Sequence, residues 1–213
     1  MPYTGIVLAG GRSRRMGRDK AWLDAGGRPL IVRVLERLAP LAAETVVVVA
    51  ADAAPLPDLA ARVVVDRVVG AGPLGGLQAG LEAAHTAWSF VVACDMPFLN
   101  LDLIRYLAYL RPGHDAVIPF PTGRADPLHA FYHQRCLAPI AVSLANGERA
   151  MISFLGAVRV RSVSAAEIAC FDAEGRSFLN INTPQEWETA RRAAGWLGGA
   201  DSNVGGGTAH FEG

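Results

Sequence analysis

Apolar positions along the chain fall into short β-branched runs separated by stretches at helical spacing, and this alternation sets the first expectation about the fold. Residues 6–9, Ile-Val-Leu-Ala, form an apolar run that ends in Gly10 and Gly11. Residues 29–38 then carry apolar side chains at helical spacing, so strand, glycine loop and helix follow one another. Residues 45–50 form an almost unbroken β-branched run, as expected of a strand covered on both faces. Residues 62–65 repeat that pattern after a short helical stretch at 58–61. A helix over 74–84, a strand over 89–93 and a helix over 101–110 extend the series.

This order predicts a three-layer αβα, Rossmann-like fold with a mostly parallel sheet and an antiparallel strand in the C-terminal half. Past residue 114 the pattern reads as strands at 115–119 and 128–133, helices at 136–144 and 149–155, and a late strand at 159–163. The closing helix is better marked. Thr183, Pro184 and Glu186 supply a cap, a proline at the first helical position and the partner of a capping box, which predicts a helix over 184–194. Just before it, Asn180 and Asn182 alternate about Ile181, so an extended segment would put both amides on one face. Residues 1–196 read as a single domain. The glycine-rich stretch 197–213 cannot bury enough apolar area to offset ordering and reads as a flexible tail.

Composition narrows the function. Hydrophobic residues make up 51% and charged residues 19%, as in an ordinary globular chain. Twenty basic and twenty acidic residues cancel, so no long-range field favours nucleic acid or an anionic membrane, and any polyanion must be held locally. Cys94, Cys136 and Cys170 show no C-x-x-C spacing, which suggests neither a zinc site nor a disulfide framework and fits a reducing compartment. With no basic n-region and no apolar stretch of membrane-spanning length, a cytoplasmic location is expected.

The segment from Leu8 and Ala9 through Gly10, Gly11, Arg12, Ser13, Arg14, Arg15, Met16, Gly17, Arg18 and Asp19 to Lys20 joins bare backbone to many cations. Glycines let N–H groups approach oxyanions, and arginine and lysine add charge-assisted hydrogen bonds, so this loop suits a triphosphate. Its spacing is not that of a Walker A loop, because five residues separate Gly11 from Gly17 and the lysine lies three further on; a G-x-G-x-x-G fingerprint is missing too. The bland alternative is an exposed basic turn. At a second place, Asp95 in Cys94-Asp95-Met96-Pro97 follows a hydrophobic strand and would share a sheet edge with the first loop if both strands are parallel. It is the best candidate to hold the divalent cation that a triphosphate needs, the alternative being that it caps the next helix, a task Asn100 or Asp102 could also perform.

The pattern L-A-G-G-x-S-x-R-M-G-x-D-K resembles the signature of the molybdenum cofactor guanylyltransferases, within the larger group of MobA-like nucleotidyltransferases. The resemblance spans residues 4 to about 195. It implies transfer of GMP from GTP to the terminal phosphate of molybdopterin, with Mg²⁺ as cofactor and pyrophosphate as the leaving group. Cytidine-using relatives more often carry alanine at Gly10, which tilts the choice toward a guanine nucleotide. The rivals are a cytidylyltransferase for the same cofactor, a nucleotidyltransferase for another phosphorylated metabolite, and a nucleotide-binding adaptor without chemistry. Implied partners are GTP, molybdopterin or Mo-molybdopterin, and molybdenum-insertion proteins, chaperones or apo-molybdoenzymes.

The resemblance also implies roles. Leu8, Ala9, Gly10, Gly11, Lys20, Asp66 and Asp95 would contact the nucleotide; Arg15, Lys20 and Asp95 would be catalytic, with Asp95 on the metal. Asp66 ends the third strand and either accepts from a guanine edge or only terminates that strand. Relatives commonly carry an asparagine after the second strand, where this chain has Ala50, Ala51 and Asp52. Gly75 and Gly76 open the helix after the third strand, either for close approach of a ligand or for tight helix-on-sheet packing. Asn180 and Asn182 match an N-x-N-T-P element near the active site, with Thr183 structural. Arg124 lies where the family handles its second substrate and is a pterin-phosphate candidate. His129 and His133 lack companions for a zinc site, Cys94 reads as a small apolar filler, and Trp22, Trp88, Trp187 and Trp196 read as packing residues.

Overall fold

The computed structural model describes residues 1–9, 23–51, 53, 59–66 and 70–196. Its strands are β1 (Thr4–Leu8), β2 (Glu44–Ala50), β3 (Arg62–Asp66), β4 (Trp88–Ala93), β5 (Ala116–Phe120), β6 (His129–His133) and β7 (Val160–Ser164). They form one seven-stranded sheet in the order β3-β2-β1-β4-β6-β5-β7. Among them β6 alone runs against its neighbours, β4 and β5, while the other pairings are parallel. Because β6 reverses between β4 and β5, the carboxyl ends of the other six strands all reach one edge.

The helices are α1 (Leu30–Leu38), α2 (Gly72–Ala83), α3 (Leu101–Tyr109), α4 (Leu137–Ala145), α5 (Ala165–Ala169) and α6 (Pro184–Ala193). Side chains alternate across the sheet with the period of two that a strand imposes. Val7, Val47, Phe90, Val92 and Phe131 face Ile31 and Val34 of α1 and Leu103 and Leu107 of α3. On the other face, Ile6, Val46, Val48, Val91 and Tyr132 meet Leu74, Leu77 and Leu81 of α2 and Ile140 of α4. Gly80 brings α2 unusually near this face, since a Cβ there would lie 2.7 Å from Ile6 Cγ2 and 3.2 Å from Val48 Cγ2. A third, smaller cluster seats Ile181, Trp187 and Ala190 on Ala25 and Leu30, with Leu23, Phe98 and Trp196 at its rim.

Two helix starts bear on the site. Asn100 caps α3, its Oδ1 accepting from the N–H groups of Asp102 at 2.9 Å and Leu103 at 3.0 Å. At α6 the expected capping box is present: Thr183 Oγ1 accepts from the Glu186 N–H at 3.1 Å, and Glu186 Oε2 accepts from the Thr183 N–H at 2.9 Å.

Two expected helices differ. Residues 151–154 form turns that run into a 3₁₀ turn at Leu155–Ala157. Met151 and Phe154, three apart, both reach the α2–α4 core, a spacing that turns satisfy as well as a helix does, and Gly156 weakens helix propensity. Between β2 and β3, residues 59–61 are not helical, while 58 and its neighbours down to 54 lie outside the described residues. Three residues before the start of β3 are too few to form a helix. The sequence reading also missed α5, although Ser164 and Glu167 form a capping box at its start and carried the signal. The stretch expected to be a flexible tail, 197–213, also lies outside the described residues.

His129, the first residue of β6, is fully buried, with its ring edge-on to Phe90 at 5.0 Å and tilted against Phe178 at 4.8 Å. Neither ring nitrogen has a hydrogen-bond partner among the described residues. Burial pushes its pKa down from 6.5 to about 3, against a smaller upward pull from Asp172. The unfolded chain therefore takes up a proton near pH 6.5 that the folded chain refuses until about 3, so this contribution to stability is complete above that window and is lost as pH falls through it. The slope is about 1.4 kcal/mol per pH unit within the window. His129→Phe should give a visibly shallower acid decline in denaturant-unfolding free energy between about pH 4 and 6. An unchanged slope would show that His129 is not what makes the fold acid-sensitive.

Candidate functional site

Register places the site. Leu8 pairs with Val48 on one side and Ala93 on the other, and Ala50 pairs with Asp66. The alignment continues past the strand ends, since the Cys94 N–H donates to the Leu8 carbonyl at 3.1 Å and the Ala9 N–H to the Val48 carbonyl at 2.8 Å. Ala9, where the glycine-basic segment departs, and Asp95 therefore leave adjacent strands at the same level of one edge. Gly10, Gly11, Arg15 and Lys20 themselves lie outside the described residues, as does Asp52.

Asp95 is half-buried in a turn fixed on both sides. The Met96 N–H donates to the Ala93 carbonyl at 3.3 Å, and the Asp95 carbonyl accepts from the Ile181 N–H at 3.0 Å. Met96 is fully buried beneath the turn. The cap of the following helix is Asn100, so the helix-capping alternative for Asp95 does not apply.

Asp66, also half-buried, ends β3 beside the first turn of α2. Gly75 makes that approach possible: a Cβ there would lie 2.9 Å from Asp66 Oδ2 and 2.3 Å from the Ala71 Cβ. Gly76 instead faces Leu8 Cδ2 at 3.5 Å and packs α2 onto the sheet. Of the two glycines, one borders a carboxylate and the other serves packing. Ala51 is exposed after β2 and offers only backbone atoms and a methyl group there.

Asn180 and Asn182 are exposed on either side of Ile181, which is 2% exposed and anchored in the third cluster. The hydrogen bond from Ile181 to Asp95 thus brings both asparagines beside the acid. Arg124 is exposed in the turn after β5, on the same edge but two strand positions from β4, which is about 10 Å at ordinary strand spacing. Sequence reasoning missed the ties that hold the segment after Asp95. The Leu99 carbonyl accepts from Arg37 at 2.8 Å, the Asn100 N–H donates to Ser177 Oγ at 3.0 Å, and Asn100 Nδ2 donates to the Phe171 carbonyl at 2.7 Å. No local pattern signals pairings between residues more than sixty apart. A groove of about 420 Å³ opens beside Phe98, with Arg33, Arg37 and Arg176 in its wall. Neither Asp66 nor Asp95 lines it, so it adjoins the carboxyl edge without belonging to the pair of acids.

Asp66 and Asp95 extend from strands three spacings apart, roughly 14 Å, and cannot share one ion. Among the described residues no three histidine, cysteine or acidic side chains form a metal-holding group. A single hard oxygen donor at a strand end suits a Mg²⁺ ion that brings phosphate oxygens and water as its other ligands, and not an all-protein cage.

A mostly parallel sheet in which a glycine-basic segment leaves β1 beside an acid leaving β4 defines an α/β nucleotidyltransferase. The chain belongs to the MobA-like NTP transferase domain family, whose model matches residues 5–161. A protein of Pelotomaculum thermopropionicum named as a probable molybdenum cofactor guanylyltransferase is 39% identical over 188 residues, covering 88% of this chain and 91% of its own. One of Syntrophotalea carbinolica named molybdenum cofactor guanylyltransferase is 34% identical over 200 residues, covering 91% of this chain and 92% of its own. The crystal structure of molybdopterin-guanine dinucleotide biosynthesis protein A from Archaeoglobus fulgidus superposes with a TM-score of 0.76 at 28% identity, covering 90% of this chain and 98% of that one.

The contact between Gly75 and Asp66 can be tested apart from any ligand. Gly75→Ala should destabilise the fold by about 1–3 kcal/mol through overpacking, in spite of alanine's better helix propensity. Combined with Asp66→Ala it should cost less than the sum of the two changes, since one of the two clashes is relieved. Urea unfolding of the four proteins gives the coupling, and strict additivity would place the Asp66 carboxylate elsewhere.

Proposed function

We propose that this protein transfers GMP from GTP to the terminal phosphate of molybdopterin, releasing pyrophosphate, as a molybdenum cofactor guanylyltransferase of the cytoplasm. The observation that carries this reading is the register of β1 on β4, which starts the glycine-basic segment and Asp95 from adjacent positions on one edge. The names of the relatives at 39% and 34% identity support the choice of GTP and of the pterin acceptor.

In this reading the backbone at Leu8, Ala9, Gly10 and Gly11 cradles the nucleotide, and Asp66 accepts hydrogen bonds from the guanine edge. Arg15 and Lys20 donate to the β- and γ-phosphates and neutralise the charge that grows on departing pyrophosphate. Asp95 holds Mg²⁺, which when bound supplies charge neutralisation at the phosphates. An oxygen of the molybdopterin phosphate forms a bond to the α-phosphorus of GTP in line with the bridging oxygen that leaves with pyrophosphate. That nucleophile is already ionised at neutral pH, so the protein contributes positioning and charge and no general base. Asn180, Asn182 and Arg124 serve the acceptor side, and Gly76 is given to packing. The product would pass to molybdenum-insertion proteins, chaperones or apo-molybdoenzymes.

Pyrophosphate release by the purified protein with molybdopterin and Mg²⁺ tests the assignment. GTP should support turnover and CTP should not; a preference for CTP, or for a sugar phosphate as acceptor, would replace it with a related transferase. GTP binding with no pyrophosphate released in the presence of acceptor would make the chain an adaptor. Asp95→Ala should slow GMP transfer at least about a hundredfold, because losing the metal's anchor forfeits several kcal/mol of transition-state stabilisation. Near-normal transfer by that variant would remove the acid from the metal.

A further inference from the structure

We infer that Glu186 is a positioning residue for Asp95, acting through the backbone of residues 181–183, an inference that rests on the metal role proposed for Asp95. Three successive N–H groups lead from one acid to the other. That of Ile181 donates to the Asp95 carbonyl at 3.0 Å, that of Asn182 to Glu186 Oε2 at 2.7 Å, and that of Thr183 to the same oxygen at 2.9 Å. An ordinary capping box needs only the last of these. The bond to Asn182 is additional, and it reaches one residue past the helix cap toward the segment that holds Asp95. Asn182 therefore cannot swing away without releasing a charge-assisted acceptor.

The rest of the segment reinforces this path. Ile181 is locked by its side chain against Trp187 and Ala190, one and two turns into the helix whose capping box Glu186 completes. The acid is held in turn by its own carbonyl through Ile181 and by the flanking Cys94 and Met96 amides. Loss of the Glu186 carboxylate leaves two adjacent N–H groups without this acceptor, next to the one that pins Asp95. The other half of the capping box, in which the Glu186 N–H donates to Thr183 Oγ1 at 3.1 Å, stabilises α6 without touching residues 181 and 182. One motif thus contains a positioning half and a merely stabilising half, and substitutions can separate them.

The experiment compares full-length Glu186→Ala, Glu186→Gln and Thr183→Ala with the unaltered chain, reading Tm, kcat at saturating GTP and the Mg²⁺ concentration for half-maximal rate. Glu186→Ala and Thr183→Ala should both lower Tm by a few degrees. Only Glu186→Ala should raise the half-maximal Mg²⁺ concentration or lower kcat, on the order of tenfold, as when a group that orients a metal ligand is removed. Glu186→Gln, which keeps an acceptor oxygen, should stay near the unaltered chain. Equal Mg²⁺ dependence in Glu186→Ala and Thr183→Ala would overturn the inference and leave Glu186 a helix cap. Should Glu186→Ala not fold, Glu186→Asp, too short to reach both N–H groups, takes its place under the same criteria. Asp95→Ala serves as the control: if it keeps normal activity, the metal reading falls and this inference with it, whereas an inactive control with indistinguishable cap variants sinks the inference alone.

Discussion

One hydrogen bond sets the geometry on which the site depends, the donation from the Cys94 amide to the Leu8 carbonyl at 3.1 Å, which carries the parallel pairing of β1 and β4 one step beyond both strands. It brings Ala9 and Asp95 to the same end of adjacent strands although they lie 86 positions apart in the sequence. A slip of one residue would turn every side chain of β1 to the opposite face, placing Ile6 among α1 and α3 and Val7 against α2, so the packing of both layers defends this register. The sheet core and the placement of the acid are one constraint seen from two sides.

The carboxyl edge is organised by reach more than by charge. The chain as a whole is neutral, and the two acids lie at the ends of strands three spacings apart, roughly 14 Å, too far for both to hold one ion. Glycine permits this where a side chain would intrude. At Gly75 it admits the Asp66 carboxylate to the first turn of α2, while at Gly80 it lets the same helix lie close on Ile6 and Val48. Both positions have ordinary helical backbone, so what they require is the absence of a Cβ and not conformational freedom.

What was legible in the sequence follows the range of the interactions. The valine run of β2, the alternating apolar helices and the Thr183–Glu186 box are local, and each appears within a residue or two of its expected bounds. The glycine-basic segment and Cys94-Asp95-Met96-Pro97 stand out because each is a contiguous motif, and the fold starts both from one sheet edge. Residues 149–155 misled because a spacing of three fits successive turns as well as a helix, and α5 escaped because five residues are too few for periodicity even though Ser164 and Glu167 mark its start. The division of labour between Gly75 and Gly76 and the bond from Ile181 to Asp95 were hidden, since each depends on which distant residue the fold delivers alongside.

The late arrival of Ile181 also bears on how the molecule is made. A ribosome that has released the chain through β4 has delivered both strands that align Ala9 with Asp95, yet the amide that grips the Asp95 carbonyl is still to be synthesised, as is the β6 strand that flanks β4. The sheet can begin to assemble from its amino-terminal strands during translation, while the acid's turn is completed by a segment that emerges after all seven strands. A chain synthesised only as far as β7 can thus possess every strand of the sheet and still lack the finishing contact of its site.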